Sequence, residues 1–328
     1  MTKQMTEQLY PNIHRLRIPL PKNPLKELNC YVIAGQERSL IIDTGFNRPE
    51  CEEALLGGIA ELGIALDRTD VLLTHRHSDH TGLARLLEER GARIFAGRAE
   101  QEAIRKMAGG EAWVNMNEKV RLLGLEEYGI TVDDHPGYRY RPLPLADCRP
   151  LAEGDRLSYG GYDFEVVDIP GHTPGHIGLY EAEHKLFFCG DHILFTITPN
   201  ITFWDFRQDS LAEYFASLRK VAALPIELLF TAHRELVSNH LARIEELLQH
   251  HEKRLAEVMA IMAQGEQTAS RTAAQMHWDI RARSWEDFPK AQKWFATGEA
   301  AAHLEYLVNQ GRLQRRTADG IMYYRLPA

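Results

Sequence analysis

Apolar residues recur along this chain with two periods, and the switches between them mark its elements. Polar and apolar positions alternate from 12 to 18, the period of a half-buried strand, until the prolines of Leu20-Pro21-Lys22-Asn23-Pro24 break the pattern. Two short β-rich runs, Cys30-Tyr31-Val32-Ile33-Ala34 and Ser39-Leu40-Ile41-Ile42, flank Gly35-Gln36-Glu37-Arg38 and predict a hairpin. Residues 50–62 read as a helix stopped by Gly63, 71–74 as a buried strand, 81–89 as a helix stopped by Gly91, and 93–96 as a strand. This β-α-β-α-β order predicts a layered α/β core. Residues 99–140 interrupt it with helices at 99–107 and 117–125 and a loop rich in Asp, His, Pro and Gly. An insertion of that size is a lid over a site or a surface decoration; pocket shaping is the expectation here. Strands resume at 155–157, 163–168, 177–181 and 185–189, followed by a helix at 211–222 and a buried strand at 228–231.

The pattern changes near residue 240. Helices at 241–262 and 299–309 precede two β-rich segments, 312–316 and 321–325, around the turn pair Asp319-Gly320. Helices followed by a hairpin predict a small winged-helix-like domain over 251–328, with a larger α/β domain over 1–250.

Composition narrows the class. Hydrophobic residues make up 44% and charged residues 26%, ordinary for a globular chain and poor for disorder or coiled coil. No apolar run approaches the roughly 18–20 residues that span a bilayer, and the polar start has no apolar signal region, so no membrane role is expected. The four cysteines, Cys30, Cys51, Cys148 and Cys189, form no C-x-x-C pair, which argues against a disulfide framework and a thiolate zinc site. The cytoplasm is the expected compartment. Net charge is −8, split as −10 over residues 1–250 and +2 over 251–328. An acidic body repels phosphate backbones, so a large nucleic-acid footprint there is not favoured.

Chemistry concentrates in Thr74-His75-Arg76-His77-Ser78-Asp79-His80-Thr81-Gly82, between a predicted strand and a predicted helix. In an extended loop His75 and His77 can face one cation, while the adjacent Asp79 and His80 can turn toward a neighbouring position. Neutral imidazoles and carboxylates are the usual ligands of catalytic zinc. Three rings left without a metal would each need a separate buried partner.

This H-x-H-x-D-H run resembles the signature of the metallo-β-lactamase superfamily, and later segments resemble that family in order. Gly171-His172-Thr173-Pro174-Gly175-His176 is similar to its second motif, Gly190-Asp191 to its third, and His233 after Leu228-Leu229-Phe230-Thr231 to its last; Ile41-Ile42-Asp43-Thr44-Gly45 is similar to its first. The resemblance covers about residues 10–250 and points to the glyoxalase II-like and lactamase-like branch that carries a C-terminal winged helix. It implies a four-layer αββα sandwich and two divalent metal ions, zinc first, with iron or manganese as alternatives. His75, His77 and His172 would hold one ion, Asp79, His80 and His233 the other, and Asp191 would bridge. Asp43 would support the histidine loop, and Asp79 would orient the attacking water. Ala232-His233-Arg234 departs from the family's usual Gly-His pair. Arg234 is expected to pair with an acid such as Glu235, and His176 to make a supporting hydrogen bond. His192 is expected to point away from the site and His135 lies in the insertion, where a lid contact is open to it; His14, His184, His240, His250, His251, His277 and His303 read as surface or helix positions.

The implied activity is hydrolysis of a small ester, thioester or lactone by a metal-bridging hydroxide. A phosphodiesterase or endoribonuclease of the same superfamily is the alternative, and a redox or binding protein on the same fold a third. Phe203, Trp204 and Phe206 suit either core packing or an apolar part of the substrate. Arg312, Arg315 and Arg316 form the one obvious basic cluster, too small to track a polynucleotide. A small-molecule substrate and a homodimer complete the expectation.

Overall fold

The computed structural model describes residues 6–236 and 239–327; the polar start at 1–5 lies outside them. Seven strands form one sheet in chain order: β1 (Thr6–Tyr10), β2 (Ile13–Pro19), β3 (Glu27–Ile33), β4 (Ser39–Ile42), β5 (Thr69–Leu73), β6 (Arg93–Gly97) and β7 (Cys148–Leu151). The first four run antiparallel, and β4 to β7 run parallel. Five strands form a second sheet in the order β12-β11-β10-β9-β8: β8 (Arg156–Tyr159), β9 (Tyr162–Asp168), β10 (Ile177–Glu181), β11 (Leu186–Gly190) and β12 (Leu228–Thr231).

Strand alternation sorts the side chains into layers. On β3, Tyr31 and Ile33 face the second sheet, where they pack with Leu186, Phe188 and Phe230. Cys30 and Val32 point the other way, toward α1 (Pro49–Glu61), which presents Cys51, Leu55 and Ile59 at helical spacing. On β11, Phe187 and Cys189 face outward onto α7 (Ser210–Ala222) and its Leu211, Tyr214, Phe215 and Leu218. Both sheets are therefore covered on both faces, giving the expected αββα sandwich.

Between β5 and β6 lie the one-turn α2 (Ser78–Thr81) and α3 (Ala84–Glu89), where one helix over 81–89 was predicted. The insertion holds α4 (Arg98–Gly109), α5 (Met116–Leu122) and the one-turn α6 (Pro136–Arg139). Its far end docks on the C-terminal region: the Ser270 N–H donates to the Leu123 carbonyl at 3.1 Å and Ser270 Oγ to the Gly124 carbonyl at 2.9 Å.

The C-terminal region runs α8 (His240–Met262), β13 (Gln267–Thr268), α9 (Ala269–Gln275), α10 (Lys290–Asn309), β14 (Gln314–Ala318) and β15 (Ile321–Arg325). Its three strands pair in the order β13-β15-β14, with the hairpin where Asp319-Gly320 places it. Residue 250 falls inside the continuous α8, and α8 and α10 share one apolar cluster with α7 and the second sheet. His251 and His303 lie on these helices but are fully buried, Nδ1 to Nε2 at 3.1 Å.

Candidate metal centre

Strand ends deliver the chemical groups to one edge of the sandwich. His75 and His77 follow β5, Asp79 and His80 sit on α2, His172 lies in the β9–β10 loop, Asp191 follows β11, and His233 follows β12. Because β9 and β11 both run antiparallel to β10, their C-terminal ends meet at its start, close to the end of β5. The Ile177 N–H donating to the Thr74 carbonyl at 3.1 Å locks the two sheets together there.

The seven residues converge as two groups, His75, His77, His172 and Asp191, and Asp79, His80 and His233, the ligand atoms within each lying within 4.8 Å of one another. His77 Nδ1 is 3.0 Å from both His75 Nε2 and His172 Nε2. Asp191 lies between the groups. Its Oδ2 is 3.6 Å from both His172 Nε2 and His80 Nε2, and its Oδ1 is 3.4 Å from His233 Nε2. Asp79 Oδ2 completes the second group at 3.4 Å from His233 Nε2.

The outer nitrogens determine what the inner ones can do. Asp43 Oδ2 accepts from both Thr74 Oγ1 and His80 Nδ1 at 2.8 Å. With its hydrogen donated to Asp43, Thr74 Oγ1 accepts from His75 Nδ1 at 3.1 Å. His172 Nδ1 donates to the Asn200 carbonyl at 2.9 Å, and His233 Nδ1 to the Glu27 carbonyl at 2.8 Å. In their neutral forms, the ones that bind a metal, these four imidazoles turn Nε2 lone pairs inward, oriented as second-layer partners orient metal-binding histidines. His77 differs in turning Nδ1 inward, between the Nε2 atoms of His75 and His172. His80 Nε2, His233 Nε2 and Asp191 Oδ1 are buried without a hydrogen-bond partner. Facing lone pairs and a buried carboxylate are a poor arrangement without cations and a fitting one with them.

Electrostatics separate the two groups. Burial and the neighbouring imidazoles hold His75 and His77 well below the usual histidine range, and burial lowers His172. Burial also opposes charge on His80 and His233. There the carboxylates outweigh it, Asp43, Asp191 and Asp79 for His80 and Asp191 and Asp79 for His233, and both rise. Against their own burial, Asp79 is drawn down to about 2 by His80 and His233, and Asp191 falls well below its usual range beside His233, His80 and His172.

The surroundings correct several expectations. Arg234 donates to the Pro24 carbonyl at 2.7 Å rather than to Glu235, and adopts a left-handed backbone, φ +64°. Asn29, which no local pattern singles out, holds that turn by donating to the Thr231 carbonyl at 3.0 Å and the Arg234 carbonyl at 2.9 Å. His176 makes no supporting hydrogen bond; it is fully buried with both ring nitrogens unpartnered, its ring 4.7 Å from that of His75. Phe203 is core and Phe206 is half exposed, while Trp204 stands at the site. The Trp204 ring lies 6.2 Å from that of His77 and its Nε1 donates to the His172 carbonyl at 3.3 Å. Glu100, also unforeseen, is fully buried at the start of α4. It accepts from Arg76 N and Nε at 2.8 Å and from the Gly175 N–H at 2.7 Å, tying the histidine loop to the His172 loop.

A sequence model described as the metallo-beta-lactamase superfamily matches residues 26–233, and one described as the metallo-beta-lactamase-like C-terminal domain matches 255–327. The chain belongs to the metallo-beta-lactamase superfamily. A metallo-beta-lactamase family protein of Thermus thermophilus is similar in structure, with TM-score 0.82 and 29% identity, covering 98% of this chain and 100% of that one. Among curated relatives, the hydroxyacylglutathione hydrolase of Aeromonas hydrophila is 30% identical over 64% of this chain, and the match spans 62% of that enzyme's length. An acyl-coenzyme A thioesterase of Gallus gallus is 31% identical over 50% of this chain and 56% of its own. The His and Asp clusters of this chain are suited to divalent metals. Among the described residues, no helix is long and apolar enough to cross a membrane.

Proposed function

We propose that this protein hydrolyses a small acyl thioester, ester or lactone at a centre of two divalent ions, with zinc the first candidate and a thioester the first substrate to test. The observation that carries this reading is the inward convergence of seven His and Asp side chains, four of whose imidazoles have the outer nitrogen already hydrogen-bonded. Two such cations supply, when bound, Lewis acidity toward a carbonyl oxygen and a water acidified to near neutrality. His75, His77 and His172 would hold one, Asp79, His80 and His233 the other, with Asp191 between them.

The chain's own groups do the rest. Asp79 accepts a hydrogen bond from the attacking water and so orients it. Asp43 and Thr74 fix His80 and His75. Half-buried Trp204 offers an apolar wall for an acyl group beside His77, and Arg76, stacked on its ring at 4.9 Å, is held by Glu100. The relatives named for hydroxyacylglutathione and acyl-coenzyme A point to the thioester.

A polynucleotide substrate fits less well. Arg315 is ion-paired with Glu305 and stacked on Phe206 at 4.2 Å, and Arg316 is ion-paired with Glu266, so the C-terminal basic cluster is largely neutralised within the chain. The winged-helix-like unit then serves packing or homodimer contacts. Four unpaired cysteines suit the cytoplasm.

The test is a hydrolysis screen of metal-replete protein over acyl-glutathione and acyl-coenzyme A thioesters, lactones, a phosphodiester and single-stranded RNA. Thioester turnover is expected, abolished by chelation and cut by orders of magnitude in Asp191→Ala. Metal-dependent cleavage of the phosphodiester or RNA alone would replace this reading with the nuclease one.

A further inference from the structure

His172 takes its orientation from outside any helix or strand. The Asn200 carbonyl that accepts from its Nδ1 stands in the irregular segment between β11 and α7. A carbonyl in such a segment is aimed only as well as the chain around it is held. α10 holds it. Asn200 Nδ2 donates to Glu299 Oε2 at 3.0 Å and lies 3.4 Å from the Phe295 carbonyl. Three residues on, the Phe203 N–H donates to the Gly298 carbonyl at 2.9 Å. The approach is close enough that a Cβ at Gly298 would lie 2.1 Å from Thr202 Oγ1, so glycine lets segment and helix meet there.

Glu299 has little stabilising reason to be where it is. Its side chain is 9% exposed, and its second oxygen is 3.5 Å from Arg254 Nε, which has no hydrogen-bond partner. Arg254 is otherwise engaged, donating to Glu257 at 2.9 Å and stacking on Trp278 at 4.1 Å. The pair as a whole adds little net stability over apolar side chains at both positions, although removing Glu299 alone would strand Arg254. What the carboxylate does supply is an acceptor for the Asn200 amide.

We infer that Glu299 and Asn200 are positioning residues of the metal centre: through them α10 aims His172, so the three-histidine group is complete only with the C-terminal helix docked. This rests on the reading of His172 as a ligand. It makes the C-terminal unit part of the support of the metal centre.

The test uses full-length protein, stripped of metal and titrated with cobalt(II), reading affinity and the visible absorption of the bound ion. Glu299→Ala should weaken the three-histidine site by up to roughly tenfold, the low end of what losing a direct outer-layer partner costs, and change the absorption. Glu299→Gln, which keeps an acceptor for Asn200 Nδ2, should restore both. Leu307→Ala, which truncates a fully buried leucine on the same helix, should lower the melting temperature and leave cobalt binding alone. If Glu299→Ala does not fold, Asn200→Ala, which removes the amide and spares the carbonyl, carries the same expectation. The clamp is wrong if these variants bind cobalt as the parent does while His172→Ala loses an ion, or if Leu307→Ala weakens binding as much as Glu299→Ala. If His172→Ala binds both ions unchanged, the ligand reading falls and the clamp with it.

Discussion

Asp43 shows how much one side chain outside the ligand set can carry. Its carboxylate accepts from the Thr74 N–H at 2.9 Å, from Thr74 Oγ1 and from His80 Nδ1, all from a left-handed backbone at φ +63°. Asparagine tolerates that backbone but lacks a second acceptor oxygen. Asp43→Asn should therefore fold and lose roughly ten- to hundredfold in metal affinity, read by chelator competition; unchanged affinity would show that Thr74 alone orients the loop. The seven converging residues and Asp43 were legible in the sequence because each lies in a short local pattern. Glu100, Asn200 and Asn29 were not. Each acts on a partner far along the chain, 24 residues for Arg76–Glu100 and 99 for Asn200–Glu299, and such a pairing leaves no local spacing to find.

At the scale of elements, α10 explains both what was readable and what was missed. It begins at Lys290, nine residues before the predicted start, and Trp294 and the stretch 296–305 are buried on nearly every side. A helix enclosed all round shows no polar stripe, so periodicity caught only its end. β7 escaped because Pro150 lies within an edge strand, where the missing N–H is tolerated. The insertion braces the segment that carries Trp204, a contact through which it could shape the pocket. Lys119 Nζ on α5 donates to the Phe203 carbonyl at 2.8 Å and the Trp204 carbonyl at 3.2 Å, and burial, partly countered by Asp205, lowers it to about 8. Excising 107–132 would also remove buried Val120, Leu123, Leu125 and Ile130 from the core, so a single change is the sharper test. Lys119→Met should raise KM for an acyl substrate with metal content unchanged, and cost about 1–2 kcal/mol of stability in urea melts. An unaltered KM would mean that Trp204 is held without it.

Across the whole molecule, several histidines are held neutral by burial, and their contribution to the pH dependence has a definite sign, opposite to that of His80 and His233. Burial, with Lys119 adding to it for His135, takes His135 and His303 down to about 3. The unfolded chain protonates such groups near pH 6.5 and the folded chain does not until about 3. Stability should therefore fall as pH drops through that window, by at most about 1.4 kcal/mol per pH unit for each group. Urea melts of metal-free protein at several pH values should show a steeper loss on acidification for the parent than for His303→Leu; equal slopes would mean that His303 is already protonated in the fold. On the proposed reading, two cations complete the site at the edge of the sandwich. Elemental analysis of protein purified without chelator and made replete with zinc tests it most directly. The expected result is two ions per chain, with His233→Ala losing mainly one. A replete preparation that never exceeds one ion, or a His233→Ala protein that keeps both, would contradict it.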